Sequence, residues 1–341
     1  AGLRGFYRTT DGGNTWTQKV NTPNFPYPQG WYDVFVGVDP QSPNTVYCGG
    51  VFPSYAVAGV IKSTDGGDSW TDITIGIAGG QLHPDQHTIA FGPGDTIWVG
   101  NDGGVWKTTS GGQRWIDTNA TLTVTQNYNI ALHPTDAAQV MGGTQDNGTV
   151  GRELDVLSWP QIISGDGGFL AYDTNDPLRK YTTYVYLTVF RIRGGDFAEI
   201  TGPWGDDPRN FIAPLVMSPS DPRTLYGGTN RVWRTTTADT DATWTAISTA
   251  AISDGGTLNA IGLCWAEPHT LYTGSTTGAV FLTINDGDQW ARRSYGLPVY
   301  QVSDIVVHPN QGAVAYVAYH KNFGGRVFRT SDYGATWIDV T

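Results

Sequence analysis

Cysteine, basic residues and long apolar runs are the scarce features of this sequence. Its 341 residues include two cysteines, Cys48 and Cys264, and 20 lysines and arginines against 31 aspartates and glutamates. Two cysteines within apolar, strand-like runs are typical of small buried thiols and not of a disulfide framework. The net charge of −11, with no cluster of basic residues, argues against nucleic acid or an anionic membrane surface as a partner.

The sequence also lacks any apolar run near the roughly 18 residues that a membrane span needs, so no span is predicted. No signal peptide is recognisable. The chain begins Ala-Gly-Leu-Arg, which we interpret as the start of a processed product or an excised fragment. Turn residues are abundant instead. The 45 glycines and 19 prolines occur without a low-complexity run, and they indicate many short strands, tight turns and no long helices.

An eight-residue phrase recurs along the chain and defines a repeat. It reads TTDGGNTW at 9–16, STDGGDSW at 63–70 and TSDYGATW at 330–337. Aligned on their closing tryptophan, the copies are about 45 residues or a multiple of that apart. Degenerate copies around Trp159 and Phe197 fill the one long gap. The tryptophans that close the readable copies are Trp16, Trp70, Trp115, Trp244, Trp290 and Trp337.

Each period contains four strand-like runs, which we name A to D. In residues 87–117 they read HTIAFGP, TIWVGND, GVWKTT and RWIDT. Four short runs per repeat are typical of a propeller blade. We therefore predict an all-β protein, a seven-bladed β-propeller over residues 26–341, with residues 1–25 forming an N-terminal half-blade of strands C and D. Eight blades are the alternative, and the ring could be one part of a longer protein.

The repeated phrase, Ser/Thr-x-Asp-x-Gly-x-x-Trp, resembles the Asp-box, or bacterial neuraminidase repeat, of a β-propeller superfamily. That superfamily includes sialidases, xyloglucanases, sortilin-type receptors and photosystem assembly factors. Its box is a folding element remote from the active site, so the resemblance implies structural roles for Asp11, Asp65 and Asp332. From the residue types, we expect these aspartates to accept hydrogen bonds from turn N–H groups, and each tryptophan to pin its turn against the sheet.

Four polar segments are predicted to lie at the opposite end of the blades from the boxes. HPDQH at 83–87 and SGDGG at 164–168 enter a strand A, whereas GNDGG at 100–104 and GTQDNGT at 143–149 leave a strand B. The D–A and B–C loops of a propeller share one face, and these four loops fall on three consecutive blades. We therefore expect their polar side chains to surround one part of the pore.

One interpretation of these loops is a metal site. His83, Asp85 and His87 alternate along an extended chain, which would place their side chains on the same side. Nitrogen and oxygen ligands of this kind suit a divalent ion such as Zn²⁺, Mn²⁺ or Ca²⁺. No other cofactor is predicted.

A second interpretation is glycoside hydrolysis, in which Asp102, Asp146 and Asp166 supply the acid and base. A third is that the Asp-Gly and Asn-Gly sequences only form tight turns. If a sugar binds, Trp31 offers a stacking surface, as loop aromatics often do, and Arg152 is the basic group that could neutralise the carboxylates. The predicted substrate-binding residues are Gln145, Asn147, Trp31 and Arg152.

The four segments, in this order, also resemble secreted bacterial Asp-box proteins that are labelled glycosyl-hydrolase-like. This resemblance implies a secreted or cell-surface location and a polysaccharide or glycan as partner. Sialidase activity is not expected, because the chain has FRIRG at 190–194 and no Arg-Ile-Pro. The leading prediction is a glycoside-hydrolase-like protein. The alternative is a non-catalytic scaffold that binds glycan or protein, such as a neighbouring propeller.

Overall fold

The computed structural model describes residues 2–51, 59–122, 124–152, 158–320 and 324–341. Within these ranges the helices are three short 3-10 turns, Asn119–Thr121, Val185–Leu187 and Ala250–Ser253. None of the helices described is long and apolar enough to cross a membrane. The prediction of an all-β chain without long helices is therefore confirmed for the described residues.

The chain divides into two compact units, residues 1–124 and 125–341. The first unit contains three antiparallel sheets, numbered in chain order. Sheet 1 has two strands, β1 (Tyr7–Arg8) and β2 (Thr17–Gln18). Sheet 2 consists of β3 (Phe35–Val38), β4 (Val46–Gly49), β5 (Val60–Ser63) and β6 (Thr71–Asp72). Sheet 3 consists of β7 (Gln86–Phe91), β8 (Ile97–Asn101), β9 (Gly104–Thr108) and β10 (Ile116–Asp117).

The second unit contains five four-stranded antiparallel sheets among its described residues. Sheet 4 consists of β11 (Asn127–Leu132), β12 (Val140–Thr144), β13 (Gly148–Arg152) and β14 (Gln161–Ile163). Sheet 5 consists of β15 (Leu170–Tyr172), β16 (Arg179–Tyr184), β17 (Thr188–Arg193) and β18 (Asp196–Glu199). Sheet 6 consists of β19 (Leu215–Met217), β20 (Leu225–Gly228), β21 (Val232–Thr235) and β22 (Trp244–Ala246). Sheet 7 consists of β23 (Leu258–Leu263), β24 (Leu271–Ser275), β25 (Val280–Thr283) and β26 (Ala291–Arg292). Sheet 8 consists of β27 (Val302–His308), β28 (Gln311–Tyr319), β29 (Val327–Thr330) and β30 (Ile338–Asp339).

Successive sheets of this kind are consistent with propeller blades. Each four-stranded sheet is a meander in which neighbours in the chain pair with one another. The strands predicted within residues 87–117 correspond to β7 to β10. Counting the two-stranded sheet, the described residues form eight sheets, and the four-strand repeats predicted after residue 25 correspond to sheets 2 to 8. The boundary between residues 25 and 26, and the preference for seven blades over eight, stay predictions.

The hydrophobic cores lie between consecutive sheets, because a four-stranded sheet cannot cover both of its own faces. In the first unit, Phe35 and Tyr47 of sheet 2 pack with Val99 and Trp106 of sheet 3. Similar cores join sheets 4 and 5, 5 and 6, 6 and 7, and 7 and 8. Both cysteines are buried and free within these cores, as the sequence predicted, and burial raises the pKa of the Cys48 thiol.

The two ends of each sheet carry different loops. In sheet 3, Gln86 at the start of β7 pairs with Asn101 at the end of β8, so the entry to strand A and the B–C turn share one end. We call this the entry end. At the other end Phe91 pairs with Ile97, and the C–D turn with its box lies there too. We call this the box end.

The predicted hydrogen bonds of the boxes are present. Asp11 accepts bonds at Oδ1 from the Thr15 backbone N–H (2.9 Å) and the Thr9 hydroxyl (2.8 Å), and at Oδ2 from the Thr15 hydroxyl (2.6 Å). Asp65 and Asp332 repeat this arrangement. These hydrogen bonds stabilise the carboxylate and lower the pKa of Asp11 to about 2.

Four box tryptophans each donate a hydrogen bond to the chain directly after the preceding sheet, in addition to pinning their own turns as predicted. The Trp115 indole N–H of sheet 3 donates to the carbonyl oxygen of Ile73, directly after sheet 2, at 2.7 Å. The equivalent pairs in the second unit are Trp244 with Ile200, Trp290 with Ile247, and Trp337 with Arg293. These four boxes therefore connect sheets 2 and 3, 5 and 6, 6 and 7, and 7 and 8.

The first two boxes differ from this pattern. Trp16 of sheet 1 is 60% exposed and donates to the carbonyl of Gly13 in its own turn. Trp70 of sheet 2 packs its ring edge-on against Phe6 of sheet 1, with centroids 5.3 Å apart. Its buried indole N–H has no hydrogen-bond acceptor among the described residues. Sheet 1 is thus joined to sheet 2 by apolar contact at this position.

Candidate functional site

Three aspartates of the first unit lie at the entry end of sheets 2 and 3. Asp33 precedes β3, Asp85 immediately precedes β7, and Asp102 follows β8. Oxygen atoms of the Asp85 and Asp102 carboxylates lie within 4.8 Å of each other. The Asp33 carboxyl lies within hydrogen-bonding reach of the Asp85 carboxyl. We call these three residues the acidic cluster.

Asp33 is the buried member of the cluster, and the sequence interpretation missed it. Its exposed fraction is 0%, and neither carboxylate oxygen has a hydrogen-bond donor among the described residues. Burial, and then the negative charge of Asp85, raise the pKa of Asp33 to about 7. The signal that could have identified Asp33 is its position, because it enters a strand A as HPDQH does.

The backbone of Asp85 adopts a strained conformation at the start of β7. Its φ of 61° is left-handed, a conformation uncommon for residues other than glycine. Its backbone N–H donates to the Val51 carbonyl at 3.1 Å, and the next N–H, of Gln86, donates to the Gly50 carbonyl at 2.9 Å. These bonds fix the start of β7 against the end of β4. Burial, followed by the charge of Asp102, raises the pKa of Asp85.

Asp102 is held by two side chains, and an exposed indole lies beside them. Its Oδ2 accepts a hydrogen bond from the Tyr32 hydroxyl at 2.9 Å, and its Oδ1 lies 2.6 Å from Nε2 of His87. Tyr32 also packs edge-on against the His87 ring, with centroids 4.9 Å apart. Trp31 lies against Tyr32 at 5.6 Å and is 75% exposed. An exposed indole therefore lies next to a hydroxyl, a carboxylate and an imidazole at this end of the sheets.

The premise that placed His83, Asp85 and His87 on one side of an extended chain is wrong. The left-handed φ of Asp85 and a bulge between Gln86 and Thr88 interrupt the alternation. Both imidazoles still lie close enough to Asp85 to lower its pKa. His87 contacts Asp102, and His83 packs against Gly103, where a Cβ would lie 2.4 Å from its ring. The role of these three residues as metal ligands stays a prediction.

The second unit brings Asp146 and Asp166 together at the entry end of sheets 4 and 5. Asp146 lies in the turn between β12 and β13 with a φ of 62°, and its backbone N–H donates to Oδ1 of Asp166 at 3.1 Å. Gly148 forms a parallel bridge with Asp166. Burial, and then the charges of Asp166 and Asp146, raise the pKa of Tyr128 to about 12, so both carboxylates are near its ring. We call Asp146 and Asp166 the carboxylate turn.

The predicted substrate-binding residues of this unit divide between its two ends. Gln145 and Asn147 belong to the carboxylate turn, where the backbone and side-chain amides of Asn147 donate to the Gln145 carbonyl at 2.8 and 3.1 Å. Arg152 pairs with Val140 at the box end, whereas Thr144 pairs with Gly148 at the entry end. Hydrogen bonds from the Ala138 backbone and the Gln139 side chain lower the pKa of Asp136 there, and the charge of Arg152 contributes in the same direction. It is not brought to Asp146, because it is four residues along an extended strand from Gly148.

Other loop aromatics are divided between core and surface. Trp204, in the connection between β18 and β19, is 4% exposed and packs at 5.2 Å from the Trp244 ring. It is a core residue. Tyr27 and Tyr186 are 53% and 51% exposed. Trp31 therefore remains the predicted stacking tryptophan with a solvent-facing ring.

Comparison with solved structures finds two kinds of β-protein. The chain is similar to a GH74 enzyme from Niastella koreensis, at 16% identity and a TM-score of 0.34 over 99% of this chain. It is similar to an ancestral GH74 enzyme, at 19% identity and a TM-score of 0.38 over 87% of this chain. It is also similar to YCF48 from Cyanidioschyzon merolae, at 12% identity and a TM-score of 0.40, with 86% of this chain and 94% of that chain covered.

The chain spans 60% and 36% of the lengths of the two GH74 enzymes. No family model matches the sequence, and no curated protein matches it. The identities and TM-scores are too low for an activity to be transferred from these proteins. The function must therefore be argued from the residues of the two entry ends.

Proposed function

We propose that this protein is a secreted or cell-surface propeller directed at carbohydrate, and that it hydrolyses a glycosidic bond of a polysaccharide or glycan. The observation that carries the proposal is the carboxylate turn, where the backbone N–H of Asp146 donates to the Asp166 carboxylate and both carboxylates lie near the Tyr128 ring at the entry end. Glycoside hydrolysis needs two carboxyl groups with different tasks. We assign Asp166, whose carboxylate accepts the hydrogen bond of the Asp146 amide, as the base or nucleophile. Asp146 is then the acid, and Gln145 and Asn147 supply hydrogen bonds to sugar hydroxyls.

The first prediction tests hydrolysis with a broad panel of polysaccharides and a reducing-sugar assay. The wild-type protein should release sugar from at least one substrate. Asp146→Asn and Asp166→Asn each remove an ionisable carboxyl, and each should lower the rate by about 10²-fold or more. Asp196→Asn is the matched control, because Asp196 is exposed at the start of β18, next to the C–D turn of sheet 5 at the box end. Its rate should equal that of the wild type.

Full activity in both turn variants would contradict the catalytic assignment. Circular dichroism and thermal unfolding of each variant would show whether a lost rate reflects a lost fold. Absence of hydrolysis on every substrate would favour the non-catalytic alternative, a scaffold that binds glycan or protein, including a neighbouring propeller.

The exposed Trp31 ring favours glycan binding, with or without catalysis. It lies beside Tyr32, His87 and Asp102. The second prediction is that Trp31→Ala weakens binding to an immobilised polysaccharide by about 5-fold to 100-fold, since stacking and its buried area are lost. Trp265→Ala is the control, because Trp265 is likewise exposed, at 59%, but follows β23 at the box end. Equal losses in the two variants would place the binding surface elsewhere.

A further inference from the structure

The B–C turn of sheet 5, residues 185–187, holds a tyrosine ring in solvent on a strained backbone. Tyr186 and Leu187 are consecutive residues with left-handed φ angles of 55° and 62°, which side chains other than glycine rarely adopt. The Leu187 side chain is fully buried, whereas the Tyr186 ring is exposed. Backbone strain of this kind is concentrated at ligand-binding and active sites, where the surrounding structure maintains it. The turn therefore presents Tyr186 at the entry end at a cost in backbone energy.

Tyr186 forms an exposed aromatic pair with a residue of the next sheet. Its backbone N–H donates to the carbonyl oxygen of Phe211 at 2.8 Å, and the two rings pack edge-on with centroids 5.5 Å apart. Phe211 lies in the connection from β18 to β19, which enters strand A of sheet 6, and its ring is also exposed. Two rings of fixed relative position therefore face solvent at the entry end of sheets 5 and 6.

Arg209 lies beside this pair and has donors to spare. It is two residues before Phe211, so the two Cα atoms are at most about 7 Å apart. Its Nη1 donates to the carbonyl oxygens of Gly205 and Asp207, at 2.9 and 3.0 Å. Its Nε is buried without an acceptor among the described residues, and its Nη2 makes no hydrogen bond with them either. Nη2 is therefore the nitrogen that remains to donate to a ligand.

The positive charge of Arg209 is not balanced by the acidic side chain that its loop holds in place. Oδ1 of Asp207 pairs with Nη2 of Arg231 at 2.8 Å. Oδ2 of Asp207 accepts hydrogen bonds from the Thr229 hydroxyl and the Trp233 indole, both at 3.0 Å. The ion pairs of the described residues include none with Arg209. Carbonyl groups are neutral, so its guanidinium keeps a full charge without a carboxylate partner in this part of the chain.

The aromatic pair also continues from the carboxylate turn along the entry end. Gly165, next to Asp166, packs against the Tyr184 ring so closely that a Cβ there would lie 2.7 Å from it. Tyr184 is the last residue of β16 and lies two residues before Tyr186. A chain of sugar residues bound at Asp166 would therefore pass over the Tyr186 ring.

We propose that the glycan is acidic, and that one of its sugars stacks on Tyr186 and Phe211 while its anionic group binds Nη2 of Arg209. We call these three residues the anionic subsite, and its ligand is a uronic acid or a sulfated sugar. The inference rests on the proposed glycan binding and names the class of glycan, but it does not require hydrolysis. The electron-rich face of an aromatic ring attracts the C–H groups of a sugar ring. A hydrogen bond from a guanidinium to an anion is about twice as strong as one between neutral groups.

The acidity of the whole protein does not conflict with an acidic ligand. The net charge of −11 is spread over the chain, and salt at physiological concentration screens exposed charges more than about 8 Å apart. The groups close to the ligand therefore decide the sign of the interaction. One of them, Asp206, is exposed in the same loop as Arg209. Asp206→Asn removes a nearby negative charge, so it should bind the acidic polymers described next at least as tightly as the wild type.

The experiment measures affinities of the full chain for polygalacturonate, alginate and dextran sulfate, each beside its carboxyl-reduced or unsulfated counterpart. The wild type should bind at least one charged polymer about tenfold or more tightly than the neutral counterpart, and the polymer it prefers distinguishes carboxylate from sulfate. Arg209→Gln should remove this preference. Arg114→Gln is the matched control, because Arg114 is exposed in the box turn of sheet 3. It should keep the wild-type preference.

Tyr186→Ala and Tyr186→Gly test the stacking. Both should weaken binding of the charged polymer by at least about 5-fold, because the ring is lost. Glycine adopts a left-handed φ without strain, so Tyr186→Gly should melt no lower than Tyr186→Ala, which separates lost binding from lost folding. Phe197→Ala is the control, because Phe197 is exposed and packs on Phe190 with centroids 4.9 Å apart, near the box end of β18. It should bind as the wild type does.

Three outcomes would overturn the anionic subsite. The first is equal or tighter binding of the neutral polymers, and the second is a folded Arg209→Gln protein that keeps the preference for charge. The third is binding of poly-L-glutamate as tightly as the charged polysaccharides, which would indicate an acidic peptide as ligand. Neutral glycan binding with no effect of Arg209→Gln would contradict this inference alone. A wild type that binds no glycan would contradict the proposed function itself.

Discussion

A box aspartate stabilises its turn through both of its carboxylate oxygens. One box of the chain has asparagine in place of this aspartate, so the two side chains can be compared directly. Asp332 accepts bonds at Oδ1 from the Thr330 hydroxyl and the Thr336 N–H, and at Oδ2 from the Thr336 hydroxyl at 2.6 Å. In sheet 7 the same position is Asn285, whose Oδ1 makes the first two bonds. An amide oxygen therefore keeps the first two bonds of the turn, whereas the charge-assisted third bond needs both the carboxylate and a hydroxyl such as that of Thr336.

The third prediction follows from the charge of Asp332. The hydroxyl and amide of Thr336, followed by Thr330, lower its pKa from 3.8 to about 2. A carboxyl with a lowered folded pKa contributes stability that is present above pH 3.8 and is lost as the pH falls toward 2. Asp332→Asn should therefore melt below the wild type at pH 5 to 7, and the difference should shrink to near zero at pH 2.

Thermal unfolding of both proteins across this pH range checks the prediction. Asp196→Asn is the control, because it changes an exposed carboxyl of the same charge. Asp339→Asn is less suitable, because the Asp339 carboxylate accepts a hydrogen bond from the Thr341 N–H. A difference in melting temperature between wild type and Asp332→Asn that does not change with pH would mean that the charge of the Asp332 carboxylate does not contribute to stability.

At the scale of strands and turns, the hydrophobic periodicity predicted the structure correctly where side chains alternate and the backbone dihedral angles are regular. The runs at 97–101 and 104–108 became β8 and β9 because apolar residues bounded by glycine turns leave few other pairings. The box turns were equally predictable, since their acceptors and donors are within four residues of one another.

The same reasoning failed where the backbone departs from regular geometry or where partners are distant in the chain. The left-handed Asp85 broke the alternation expected of HPDQH. Asp33 belongs to no repeat motif, and only its position 52 residues before Asp85 in the chain, one repeat earlier, connects it to the cluster. Arg152 was misplaced for a related reason, because the length of β13 from Gly148 to Arg152 decides which end of the sheet it reaches.

At the scale of the molecule, stacking of successive sheets within each unit explains why the sequence repeats. A sheet with strands of two to nine residues buries little by itself, so its stability depends on the neighbour that covers its face. The box tryptophans add a hydrogen bond to that contact, from one sheet to the residue after the last strand of the preceding sheet. The recurrence of the phrase thus reflects a connection that is made four times between consecutive sheets.

The last prediction measures this connection with a matched pair of substitutions in the first unit. Trp115→Phe removes an indole N–H that bonds to Ile73, whereas Trp70→Phe removes one that has no acceptor among the described residues. Both changes shrink the ring by a similar amount, so their cavity costs should be similar. Trp115→Phe should cost about 1 kcal/mol more in unfolding free energy, because it also leaves the Ile73 carbonyl without its indole donor. Urea unfolding of both variants tests this, and polysaccharide binding should remain unchanged, since both boxes lie away from the entry end. Equal losses of stability would show that apolar packing alone joins the sheets, and a loss of binding in folded protein would contradict the separation of the two ends.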